Sequence, residues 1–442
     1  MAGQLCAVWN DINGDVRIFL DIGANPIKQV TLALMSETFE LTLTGNAYGG
    51  ESFGRDADGR MVFVPFTLPG EVVRVRPMET HKRWARALPE KWIESSDQRI
   101  EPRCPHFQTC GGCHYQHIPY ALQLAMKTGI VRDQLERIGG FEDPPIQSTI
   151  PSPNPWNYRN NMRFHITEDG YLGFVTFDGQ RVFHVKECHL PEQELTGLWA
   201  HLDLDPTEII EEISLRSGGE GEQMVILHGT DAPDIDISIE SPSSVVWTSP
   251  RGDFILAGQD YFYFDINRHQ FRVSALSFFQ VNTKMIPELV HHVTALLSIQ
   301  PGQTIFDLYA GVGLFSAALA ESGAHVVAVE ESPHACRDFG FNLEQFTHID
   351  LYEGSVGMAL PQIKPQPDAV LIDPPRAGLS RQALDSLLER SSSHIVYVSC
   401  DPATLSRDGK RLRAGGYSLE SLTPIDLFPQ TFHIETISLW TR

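Results

Sequence analysis

Thr304-Ile-Phe-Asp-Leu-Tyr-Ala-Gly-Val-Gly-Leu-Phe315 is the stretch that decides the fold. An apolar strand pattern runs from Thr304 to Tyr309 and carries Asp307. A turn with Gly311 and Gly313 follows, and a helical pattern opens at Leu314 and continues to Glu321. Glycines there let the backbone turn tightly and approach a ligand closely. Outward from this unit the alternation repeats: His325 to Glu330 reads as a strand and Pro333 to Phe346 as a helix. Two further apolar strands stop at Asp373 and just before Cys400. Strand–helix alternation from residue 276 to 442 predicts a parallel α/β sheet. Ligands of such sheets sit at the carboxyl ends of the strands, where Asp373 and Cys400 both fall.

Three side chains behind the glycine loop carry the chemistry. Cys400 stands on the loop after the strand ending at Ser399, and Asp373 opens Asp-Pro-Pro-Arg-Ala-Gly378. Phe432-His-Ile-Glu-Thr-Ile437 places Glu435 inside an otherwise apolar C-terminal strand. A nucleophile, an acid and a base at strand ends describe covalent catalysis, so the chain reads as an enzyme. A lone cysteine is more often a small buried apolar residue; the strand-end position after Ser399 favours the chemical reading. Glu330 closes the second strand, where a carboxylate can bind ribose hydroxyls. The third glycine of a dinucleotide fingerprint is missing, Asp307 precedes the loop, and Asp373-Pro-Pro follows later. Together these point to S-adenosylmethionine and a class I methyltransferase domain with a Rossmann-like sheet.

The 442 residues, 42% of them hydrophobic, are enough for two to four domains with real cores. A formal net charge of −22 argues against a chain held to nucleic acid by bulk charge, though a local basic patch suffices for RNA. No apolar run is long enough to span a bilayer, so no membrane association is expected. The N-terminus lacks a basic-then-apolar signal pattern, which predicts a cytoplasmic protein. The seven cysteines are odd in number, which favours ligands or catalysis over a disulfide framework. Cys104, Cys110 and Cys113 fall within ten residues, a metal-ligand pattern.

Residues 1–36 show no dependable periodicity and stand as an extension of unassigned role. Residues 37–95 read as a small β-barrel: Phe39-Glu-Leu-Thr-Leu43, Met61-Val-Phe-Val-Pro-Phe66 and Val72-Val-Arg-Val-Arg76 are short strands. Gly49-Gly50, Asp58-Gly59 and Pro69-Gly70 mark turns between them. Arg74, Arg76, Lys82, Arg83, Arg86 and Lys91 form a candidate phosphate-contacting surface; a solvated strand face is the alternative. In residues 96–275 the cysteines precede a helical stretch, Leu122 to Ile138, and then a mostly antiparallel region.

Four motifs in order make the resemblance specific: Ser277-Phe-Phe-Gln-Val-Asn282, Asp373-Pro-Pro-Arg-Ala-Gly378, Val398-Ser-Cys-Asp-Pro-Ala-Thr-Leu405 and His433-Ile-Glu-Thr436. From about residue 40 onward the chain resembles the RNA 5-methyluridine methyltransferases. Arg376 stands where amino-methylases of adenine and cytosine carry an aromatic. The resemblance implies Cys400 as the nucleophile that adds to carbon 6 of uracil, and Glu435 as the general base. It implies Gln280, Tyr309, Gly311, Gly313, Glu330 and Asp373 at the S-adenosylmethionine, with Phe278 stacking on the flipped base. Leu314 and Gly354 depart from the family's usual polar residues.

Cys104, Cys110, Cys113 and Cys188 match the family's ligand set for a 4Fe–4S cluster, and the barrel read over residues 37–95 resembles a TRAM domain, an OB-type RNA-binding module. Four thiolates suit zinc equally well on spacing alone. The expected partner is RNA, 23S rRNA ahead of the T-loop of tRNA, with no obligate protein partner. The rival readings are a non-catalytic RNA-binding protein with a decayed methylase, and a methyltransferase acting on another base or a small molecule.

Overall fold

In the computed structural model the described residues are 38–200, 202, 209–233, 243–390 and 392–442, with the backbone of a strand pair, Leu5–Asn10 and Val16–Leu20. The rest of the N-terminal extension read over residues 1–36 lies outside the described residues. The chain divides into two compact units, residues 1–47 with 51–97, and residues 48–50 with 98–442.

The first unit contains a closed five-stranded barrel, formed by Phe39–Asn46, Glu51–Arg55, Met61–Pro65, Trp84–Glu94 and Val72–Thr80 in that spatial order. Alternate residues fill its interior: Leu41, Leu43, Val62, Val64, Val73, Val75, Ala85 and Ala87. Two of the five strands carry little hydrophobic signal, because Ser52 and Gly54 are the buried residues of one and Ala85 and Ala87 of the other. At Gly54 a Cβ would lie 2.2 Å from the Thr42 carbonyl oxygen, so the strands there approach too closely for any side chain.

In the second unit a seven-stranded sheet spans the middle of the chain. Its order is Val182–His184, Leu172–Val175, Asn161–Ile166, Ile210–Ser217, Gln223–Gly229, Ser244–Ser249 and Gly252–Ala257. Every pairing is antiparallel except Gln223–Gly229 with Ser244–Ser249. A second seven-stranded sheet follows, in the order Ile349–Glu353, His325–Glu330, Thr304–Leu308, Ala369–Ile372, His394–Ser399, Glu435–Thr441 and Ser418–Ile425. Its first five strands are mutually parallel, whereas Glu435–Thr441 runs antiparallel to both neighbours. Apolar cores cover both faces, one under Ile286–Leu297 and Leu314–Glu321, the other under Arg381–Arg390 and Pro402–Ala414. Among the described residues no helix is long and apolar enough to cross a membrane.

The helix Tyr120–Gln134 packs Ile130 and Val131 into the second of these cores. Its buried stripe also includes Gln123 and Lys127. Lys127 is completely buried; its Nζ donates to Asp426 Oδ1 at 2.6 Å and to the Phe428 carbonyl at 3.1 Å. This bond anchors the segment that leads into Glu435. Truncation of one partner strands the other charge in the interior, which costs about 3–5 kcal/mol. Lys127→Ala is therefore expected to lower unfolding stability by about that amount, read from the urea midpoint at unchanged m-value. A loss below ~1 kcal/mol would show that water or a neutralised Asp426 takes over the lysine's role.

Candidate active site

The acidic and sulfur-bearing residues converge at one edge of the parallel sheet because the strands stop there together. Asp307 is the penultimate residue of Thr304–Leu308, Asp373 follows Ala369–Ile372, and Cys400 follows His394–Ser399. Glu435 differs from its reading as a mid-strand residue: it opens the strand Glu435–Thr441. Since that strand is antiparallel, its start lies at the same edge. The pairing ends at Ser399↔Thr436, so Cys400 and Glu435 each lie one residue beyond that pair, and the Glu435 carboxylate is close enough to act on the Cys400 thiol.

The loop around Cys400 is held from several sides. Asp401 caps the helix Pro402–Ala414, its Oδ1 accepting from the amides of Ala403 at 3.0 Å and Thr404 at 2.9 Å. Asp401 Oδ2 accepts from the Tyr48 hydroxyl at 3.0 Å, and the Thr436 hydroxyl donates to the Ser399 carbonyl at 3.1 Å. Sequence reasoning missed Tyr48; its only signal is the neighbouring Gly49-Gly50 turn. The cap was legible, since Asp401 is followed by Pro402 at the first helical position.

Electrostatics here are dominated by burial. Burial pushes the Cys400 thiol up to about 12, the Glu435 and Asp373 carboxylates add to the rise, and the Arg376 guanidinium opposes it. Burial also drives Glu435 well above the ordinary carboxylate range, with Asp373 contributing. Asp373 rises to about 7 through burial and the nearby Asp307, and burial lifts Asp307 to about 7 against the pull of the Ser316 hydroxyl. Neighbouring acids that cannot all ionise share a store of protons at this edge. Arg376 donates to His433 Nδ1 at 2.8 Å, and burial followed by that cation lowers the imidazole to about 3. His433 is thus neutral and acts as an acceptor that orients the guanidinium.

Beside the acids the glycine loop forms a cradle. Tyr309, Gly311 and Gly313 all have positive φ, at 67°, 56° and 91°. A Cβ at Gly311 would meet nothing within 4 Å, so the backbone faces open space. Glu330 is aligned by two amides, Gly311 N–H at 2.8 Å and Ser332 N–H at 2.7 Å. Asp307 bonds Ser316 through Oδ2 at 2.6 Å, while its buried Oδ1 has no protein partner. An orphaned acceptor beside an open cradle fits a ligand that brings a hydrogen-bond donor.

Of the residues that depart from the family pattern, Leu314 is buried in the core beneath the loop. Gly354 sits at φ 148°, a conformation reserved for glycine, and its amide donates to the Glu330 carbonyl at 2.7 Å. The aromatic pair divides cleanly: Phe279 is buried and stacks on Phe264 at 4.7 Å, whereas Phe278 is 70% exposed. Gln280 is buried, and its carbonyl accepts from Asn160 Nδ2 at 3.0 Å.

The other chemical cluster lies in the middle of the chain. Cys104, Cys110, Cys113 and Cys188 all line a cavity of about 410 Å³, and all four thiols are free. The Gly111 amide donates to the Val175 carbonyl at 3.0 Å and so ties the cysteine loop to the middle sheet. Among the described residues, no three His, Cys, Asp or Glu side chains are grouped tightly enough to hold one metal ion.

A family model described as tRNA (Uracil-5-)-methyltransferase matches residues 360–442, and one for the TRAM domain matches residues 35–87. A protein from Aquifex aeolicus, described as an uncharacterized RNA methyltransferase, is 32% identical over 92% of this chain and 99% of its own. One of the same description from Halalkalibacterium halodurans is 30% identical over 93% of this chain and 98% of its own. Among solved structures, the Pyrococcus abyssi tRNA (uracil-54, C5)-methyltransferase in complex with S-adenosyl-L-homocysteine shares the fold. Its TM-score is 0.70 at 24% identity, covering 91% of this chain and 100% of that one. Matches of this extent, on a barrel and a parallel sheet already described, place the chain among the RNA methyltransferases, with a TRAM domain at residues 35–87 and the tRNA (Uracil-5-)-methyltransferase model matched over residues 360–442.

Proposed function

We propose that this RNA methyltransferase transfers a methyl group from S-adenosylmethionine to carbon 5 of a uridine, through a transient bond between Cys400 and carbon 6. The observation that carries the reading is that Cys400, just after its strand, and Glu435, at the start of its own, lie one residue beyond the last paired residues at the edge that also holds the glycine cradle, near enough for the carboxylate to act on the thiol. Carbon 5 of uracil is a weak nucleophile. Addition of the Cys400 thiolate to carbon 6 forms a C–S bond and moves the ring's π electrons onto the carbon-4 oxygen as an enolate. S-adenosylmethionine supplies an electrophilic methyl sulfonium within reach of carbon 5. Glu435 then takes the carbon-5 proton; the electrons left behind restore the ring double bond and expel the thiolate.

Burial holds the thiol protonated, and two features favour its ionisation: Arg376 supplies positive charge, and Cys400 stands just ahead of a helix N-terminus. A carboxylate made as basic by burial as Glu435 is a strong proton acceptor whenever it ionises. Gln280, Tyr309, Gly311, Gly313, Glu330 and Asp373 are assigned to the cofactor, with Asp307 offering its unpartnered oxygen to a donor group. Phe278, solvent-exposed beside them, is assigned to the extruded base.

The four cysteines are assigned to a 4Fe–4S cluster rather than zinc. One zinc ion needs every sulfur within about 2.3 Å of a single point. All four thiols line one cavity, and the ligand pattern of the family that the chain resembles favours the iron–sulfur core. Such a core would fasten the cysteine loop to the middle sheet. Protein purified without oxygen is expected to absorb near ~400 nm, and Cys188→Ala to lose that band. A colourless protein carrying one zinc per chain would replace this assignment.

Large ribosomal RNA is the favoured target, on the strength of the barrel. The T-loop of tRNA is the second reading: the Pyrococcus abyssi protein, whose description names tRNA uracil-54, aligns with 91% of this chain. Mapping 5-methyluridine in ribosomal and transfer RNA of a deletion strain decides between them. Loss of the modified base from neither RNA would overturn the function itself.

A further inference from the structure

Ion pairing neutralises much of the basic surface read from the barrel's sequence. Arg74 pairs with Glu40 and Arg76 with Glu90, each at 3.0 Å, while Arg86 lies 3.5 Å from Glu51 and 3.9 Å from Glu79. Among the described residues Lys82, Arg83 and Lys91 enter no such pair. Lys82 and Arg83 are adjacent and exposed, in the turn between Val72–Thr80 and Trp84–Glu94. The His81 amide donates to the Trp84 carbonyl at 2.8 Å and closes that turn.

An aromatic ladder stands beside these two charges. The His81 imidazole stacks on the Trp84 indole with ring centroids 4.2 Å apart and planes 26° from parallel. The Arg86 guanidinium carbon lies 5.7 Å from the centre of the same indole. Glu79 contacts His81 at 2.7 Å and offsets charge on the Arg86 side, which leaves Lys82 and Arg83 as unpaired cations next to His81 in sequence. Half of the His81 side chain is exposed, so the ladder ends in a flat, solvent-facing ring.

We propose that the His81–Trp84 stack, with Lys82 and Arg83, binds one unpaired nucleobase and its flanking phosphates in a single-stranded segment of the RNA substrate. A base landing on the imidazole extends the ladder to three planes, while the two cations contact the backbone on either side. Stacking and phosphate contact together are how OB-type barrels hold single strands, often through the loop joining their fourth and fifth strands. A duplex hides its base faces and offers only phosphate. This inference rests on RNA being the substrate, but not on the chemistry assigned to Cys400.

Fluorescence anisotropy of the full chain with a labelled single-stranded RNA of about 12 nucleotides and with a matched duplex tests it. His81→Ala is expected to weaken single-strand binding about 5- to 150-fold, the worth of one base stack, and to leave duplex binding unchanged. His81→Phe should restore the affinity, because the aromatic plane is what matters. Lys82→Gln with Arg83→Gln should flatten the slope of log K against log salt by about 1.4, ~0.7 for each of two phosphates. Equal binding by His81→Ala and the unaltered protein, or an equal loss on both RNAs, would overturn the proposal. Adduct formation by the unaltered protein on 5-fluorouridine RNA is scored separately. Its absence sinks the Cys400 reading, whereas loss of the His81 effect sinks this one.

Discussion

Cys400→Ala protein is expected to bind RNA normally yet transfer methyl groups about 10⁴- to 10⁶-fold more slowly, the scale of loss when a covalent nucleophile is removed. The size follows from the chemistry: without sulfur at carbon 6 no enolate forms, and carbon 5 remains too poor a nucleophile for the sulfonium. Folding should survive, since Cys400 lies on a half-buried loop pinned by Asp401, Tyr48 and Thr436 rather than in a core. The diagnostic readout is the adduct with 5-fluorouridine RNA. Fluorine at carbon 5 cannot leave as a proton does, so the intermediate persists as a protein–RNA band in denaturing gels. That band should vanish in Cys400→Ala; a surviving band means another group attacks carbon 6.

Glu435→Gln is expected to slow turnover about 10²- to 10⁴-fold, the range for loss of a general base. Its signature differs from that of the cysteine variant. Addition and methyl transfer proceed, but the carbon-5 proton has no acceptor, so ordinary uridine RNA stays bonded to Cys400. A covalent band on unfluorinated RNA, carrying label from the methyl donor, is therefore the expected result. The neutral amide fits a buried slot that already favours the protonated acid, so stability should hold. Full turnover with no trapped species would assign the proton to another acceptor, Asp373 being the acid whose charge acts on Glu435.

Legibility followed how local each signal was. The glycine loop, the acid ending its strand and the strand–helix alternation occupy short windows, and the folded sheet carries them at the expected positions: Thr304–Leu308, Leu314–Glu321 and His325–Glu330. The barrel was legible through three of its strands. The others, Glu51–Arg55 and Trp84–Glu94, point small residues into an interior too narrow for large ones, which erases the alternation a reader looks for. The helical stretch read over Leu122 to Ile138 folds as the helix Tyr120–Gln134 with a helical continuation, Leu135–Gly139, but its buried face includes Gln123 and Lys127, which no apolar pattern marks. Those polar groups are buried because Gln430 and Asp426, some 300 residues away in sequence, satisfy them there.

By itself the sequence determined which residues can do chemistry: a cysteine and an acid at strand ends, a second acid among apolar neighbours, and four thiols in a ligand pattern. Only the tertiary structure decided that these groups meet. Antiparallel insertion of the C-terminal strand between His394–Ser399 and Ser418–Ile425 brings the start of Glu435–Thr441, rather than its middle, to the end of the sheet where Cys400 stands. Burial of several acids at that edge then raises their proton affinities together. Proton affinity depends on what surrounds a side chain in space, and those surroundings come from segments far apart along the chain.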